Sequence, residues 1–130
     1  MNTQNHSLLL QALRLNAYFS GISSIVMFAT GPWIAAQLGL ASVMQVYVIA
    51  GFLILFSLQL GNIVRTGVIR RWEVVGIIVG DLAWVIATVV LVAIYFEALT
   101  TIGLLLVDLV ALAVLFFAIQ QIRGLKRAFP

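Results

Sequence analysis

Cysteine is absent from the 130 residues, histidine occurs once, and charged residues make up only 8% of the chain. The first absence excludes disulfides and thiolate chemistry. With His6 alone in a polar N-terminal stretch, no His or Cys metal cluster can be assembled within one subunit. No motif calls for a cofactor. The shortage of charge excludes a water-soluble domain of this size, whose surface would need far more polar area. Seven Lys plus Arg against four Asp plus Glu leave a net charge of +3. There is no basic stripe on a polar, foldable domain, so nucleic acid is not the expected partner.

Apolar sequence fills the space those residues leave. Hydrophobic residues are 64% of the chain, and the mean hydropathy is +1.20. The uncharged or nearly uncharged runs cover residues 17–38, 43–64, 74–96 and 101–122. Each is about 20 residues or slightly more, the length a helix needs to cross a hydrocarbon core of roughly 30 Å. The expectation is an all-α fold, an integral membrane four-helix bundle forming one transmembrane domain over residues 1–130, with membrane lipids as its solvent. Loops of a few residues make consecutive helices antiparallel, giving an up-down-up-down arrangement.

Charge placement sets the expected orientation. Arg14 precedes the first run, Arg65, Arg70 and Arg71 lie between the second and third, and Arg123, Lys126 and Arg127 follow the fourth. The other two connections, "GLAS" and "EALT", carry no basic residue. Positive loops stay on the side of synthesis, so both termini are expected in the cytoplasm of a bacterial inner membrane. Pro32, in "TGPW", removes a backbone donor and predicts a kink near Thr30. Gly76 and Gly80 form a small-xxx-small pair that suits close helix approach, within the subunit or between copies.

Two acids interrupt the apolar runs. Asp81 lies eight residues beyond Glu73 and Asp108 eight beyond Thr100, which places each about 12 Å from its own end of the membrane. An Asp at a helix centre costs about 2.5–3.5 kcal/mol to insert, so both are expected to face protein or water, in one shared cavity if helix rotation allows. Trp84 follows Asp81 by one turn and is placed to line such a pocket. Asn16, Gln59 and Asn62 fall at the same end as Asp81, and with Arg14 as counter-charge they form the expected polar set.

The stretches "LRLNAYFSG" (13–21), "VGDLAWV" (79–85) and "AIQQIRGLKR" resemble those of small bacterial four-helix integral membrane proteins. That resemblance implies the multi-pass fold and brings no catalytic roles with it. The chain is also similar in length and helix count to small multidrug exporters, but the acid expected in their first helix has no counterpart between Ala17 and Leu38. Dual-topology fluoride channels are similarly short, yet they lack this charge bias, and their glycine-rich, phenylalanine and asparagine arrangement is not found here.

These features favour a protein that binds or passes a small molecule, cation or proton through a polar intramembrane cavity, with Asp81, Asp108, Trp84, Asn16, Gln59, Asn62 and Arg14 as its lining. The alternative is a non-catalytic accessory or structural subunit of a larger membrane complex, whereas a second copy of the chain is what enclosing a transport path would call for. Enzymatic chemistry has a thin inventory here, since two carboxylates stand without a His, Cys or serine set beside a base.

Overall fold

The computed structural model describes the backbone of residues 3–130 and the side chains of residues 6–130. It is an all-α bundle of α1 (Thr3–Gln37), α2 (Met44–Thr66), α3 (Arg71–Tyr95) and α4 (Thr101–Ala128), with a single 3-10 turn at Phe96–Ala98 before α4. All four helices are long and apolar enough to cross a membrane. The first begins at Thr3 rather than near Ala17, because the amphipathic stretch before the apolar run continues the same helix. Its 35 residues span about 50 Å, well beyond a hydrocarbon core of roughly 30 Å.

One face of α1 organises the bundle. Leu9, Leu13, Asn16, Ser20 and Ser24 are all buried and recur every three or four residues, the spacing of a single helical stripe. Along it α1 packs antiparallel against α2 on one side and α4 on the other. The α2 seam is marked by Ser57 Oγ donating to the Ala17 carbonyl at 2.7 Å and Ser24 Oγ donating to the Ala50 carbonyl at 2.8 Å. Further along, a methyl added at Gly31 would meet Tyr47 Cε1 at 2.5 Å. Thr30 leaves helical geometry at φ −122°, ψ 22°, two residues before Pro32, so the helix bends there and continues. Its hydroxyl donates to the Val26 carbonyl at 2.7 Å.

The α4 seam closes at both ends through glycine. Gly103 leaves no room for a Cβ beside the Gln37 carbonyl, and at Gly124 a Cβ would stand 2.8 Å from Leu9 Cα. At the first end α1 stops in a Schellman turn, with Gly39 at φ +67° and Leu40 N donating to the Ala35 carbonyl at 2.9 Å. Thr100 then serves both helices. Its hydroxyl accepts from Gly103 N at 3.0 Å as the cap of α4, and it donates to Gln37 Oε1 at 2.6 Å.

The apolar core lies at the other, basic end, where Leu9, Leu13, Leu60, Ile63, Val74, Ile77, Ile78 and Ala128 meet. All the buried residues of α3, from Val74 to Asp81, fall in its first three turns. Beyond them α3 rests on α4 with no fully buried residue. Gly76 and Gly80 face outward with nothing within 4 Å of where a Cβ would stand. Close approach within the subunit therefore uses Gly31, Gly103 and Gly124 instead.

Candidate functional site

Where the core ends, one turn further into the bundle, four polar side chains converge. Asp81 Oδ2 accepts from Asn16 Nδ2 at 2.9 Å and from Gln121 Nε2 at 2.8 Å. Asn16 Nδ2 also donates to Gln121 Oε1 at 2.9 Å, and Ser20 Oγ donates to Asn16 Oδ1 at 3.2 Å. None of the four is more than 5% exposed. The cluster joins α1, α3 and α4 through side chains 40 to 105 positions apart. Hydrogen bonds of this kind contribute about 0.6–2 kcal/mol each in a membrane, and their geometry fixes rotation and register as apolar contacts do not.

The amides fit the carboxylate closely. Both Nδ2 protons of Asn16 are engaged, and Gln121 both donates and accepts. Both donations to Asp81 land on Oδ2, and Oδ1 receives none from the described residues.

Helix adjacency explains which expected residues join. Because α1 lies between α2 and α4, and α4 carries α3, the side chain that joins Asn16 at Asp81 comes from α4. Gln59 and Asn62 on α2 are exposed instead, as is Arg14 on α1. Asn62 Oδ1 accepts from Arg65 Nη2 at 3.1 Å, one turn along its own helix. The expected polar set thus loses Gln59, Asn62 and Arg14 and gains Gln121 and Ser20. Trp84 is half-buried one turn beyond Asp81, and its carbonyl accepts from Thr88 Oγ1 at 2.8 Å. Gln121 precedes by one turn Gly124, the glycine at which α4 meets α1.

The second acid does not turn inward as expected. Asp108 is exposed on α4, among Leu105, Leu109 and Leu112, which are 56%, 64% and 64% exposed. It follows Gly103 by five residues, about 140° around the helix from the face that packs on α1. The two carboxylates therefore do not share an environment. Two grooves lie elsewhere, one of about 460 Å³ between α1 and α2 and one of about 190 Å³ bordered by Asn62, Thr66, Arg70 and Glu73. Neither is lined by Asp81 or Asp108.

Comparison with known proteins returns no match, whether by family, by sequence among characterised proteins, or by fold among solved structures.

Proposed function

We propose that this chain is a non-catalytic, membrane-embedded subunit that joins a second intramembrane chain through the outer face of α4 around Asp108. The observation that carries this reading is the opposite placement of the two acids. Asp81 is engaged by Asn16 and Gln121 inside the bundle, whereas Asp108 stands exposed amid leucines. A carboxylate facing acyl chains at that depth is costly, by about 2.5–3.5 kcal/mol, and a partner's donor or cation removes the cost. The arrangement is up-down-up-down in a bacterial inner membrane, with both termini and the α2–α3 connection in the cytoplasm, on the strength of the basic residues gathered there. Mild-detergent purification from the native host tests the reading. A stoichiometric companion, either another membrane protein or a second copy, is expected with the wild type and lost with Asp108→Leu. A cleanly isolated single subunit would overturn it.

One observation favours a second reading, in which the subunit passes a proton or cation past Asp81. Its Oδ1 receives no donor from the described residues, so one carboxylate oxygen is left for such a guest. Asp81→Asn separates the two. It preserves the shape of the cluster, so it leaves assembly intact under the first reading and abolishes ion flux into proteoliposomes under the second.

A further inference from the structure

We infer that the groove between α1 and α2 at the basic end is a binding site for an anionic phospholipid, with the phosphate at Arg65 and the upper acyl carbons along Gly61 and Ala17. The groove measures about 460 Å³ and is bordered by Ala17, Tyr18, Ser57, Gly61, Asn62 and Arg65 among others, with no acidic side chain on its walls. Its polarity is graded. Arg65 belongs to the last turn of α2, and Ser57 lies eight residues deeper, about 12 Å along the axis.

The deep part offers a ligand little to hydrogen-bond. Ser57 Oγ is already donating to the Ala17 carbonyl at 2.7 Å, and nothing lies within 4 Å of where a Gly61 Cβ would be, so the floor is open and apolar. At the mouth the balance reverses. Asn62 Oδ1 accepts from Arg65 Nη2 at 3.1 Å, which leaves the Asn62 amide protons and the rest of the guanidinium facing a groove without a carboxylate. Tyr18, next to Ala17, also borders the groove on a side chain 64% exposed. Arg14 lies one turn nearer the basic end on the same face of α1 as Ala17 and Tyr18, a second cation for the same ligand.

Donors and positive charge at one end and an apolar trough at the other fit an amphiphile with an anionic head. A free phosphate would leave the trough unfilled. This inference is independent of the Asp108 face, which lies on α4.

Native mass spectrometry of the detergent-solubilised subunit tests it, with phosphatidylglycerol and phosphatidylcholine of identical chains as probes. The wild type should hold one phosphatidylglycerol at least about fivefold more tightly than phosphatidylcholine, the equivalent of one interfacial arginine. Arg65→Gln should bring that ratio close to one, and Gly61→Leu, which fills the open floor without a clash, should weaken both lipids. Arg123→Gln, a basic residue outside the groove, should leave the ratio unchanged, and millimolar inorganic phosphate should not displace the lipid. Equal retention of both lipids by the wild type, binding unaffected by both groove variants, or displacement by inorganic phosphate would overturn the assignment.

Discussion

Gln121 Nε2 donates to Asp81 Oδ2 at 2.8 Å across 40 positions of sequence, tying the basic half of α4 to α3 where α3 last reaches the core. Asn16 bonds to both residues, so the link is a three-helix clasp rather than a pair.

Removing one member takes a buried hydrogen-bond partner from each side chain it touched. Gln121→Leu is expected to destabilise the detergent-solubilised subunit by about 1–3 kcal/mol, and Asp81→Asn by less, because an amide still accepts through its oxygen. Asn16→Ala with Gln121→Ala should show a coupling of about 0.5–3 kcal/mol in a double-mutant cycle. Unfolding in mixed micelles measures both. Strict additivity would mean that the cluster does not act as a unit.

Glycine positions divide into two classes. A leucine at Gly103 or Gly124 meets the α1 backbone directly and is expected to lower stability by about 1–3 kcal/mol or more. The same change at Gly76 or Gly80 meets open space and should alter the isolated subunit by less than about 0.5 kcal/mol. Unfolding midpoints of the four variants check the contrast.

The serines of the α1–α2 seam contribute separately. Ser24→Ala and Ser57→Ala each remove one interhelical bond to a carbonyl, expected to cost about 0.6–2 kcal/mol. The bonds lie seven residues apart along α1, about 10 Å, so the double variant should equal the sum within about 0.5 kcal/mol. The three unfolding free energies decide the point.

The helices were legible in the sequence because long uncharged runs admit little else. The early start of α1 was not, since Gln11 and Arg14 break the apolar pattern without breaking the helix. Asp81 and Asn16 stood out as polar groups at the edge of or inside apolar runs. Gln121 did not, because it sits beside Gln120 near the end of α4, where polar side chains ordinarily meet the interface. Which helices neighbour one another decided the rest. Short connections are compatible with α2 joining Asn16 at Asp81, and only the α1–α4 approach at Gly103 and Gly124 shows that α4 does so, through Gln121. The rotation of α4 is set by those two glycines as well, and it is what carries Asp108 to the outside.

An outward Asp108 predicts divergent effects of one change. Asp108→Leu removes a charge from an exposed, apolar face, so the isolated subunit should be equally stable or more stable. Loss of stability in mixed-micelle unfolding would place the carboxylate in an internal contact.

The most direct measurement is crosslinking in native membranes. Because the chain has no cysteine of its own, a single Leu112→Cys variant can carry a thiol-linked photoreactive probe beside Asp108. The account predicts one discrete adduct of higher mass that disappears when Asp108→Leu is added and persists when Asp81→Asn is added. A probe that labels lipid alone, or an adduct indifferent to Asp108, would contradict it.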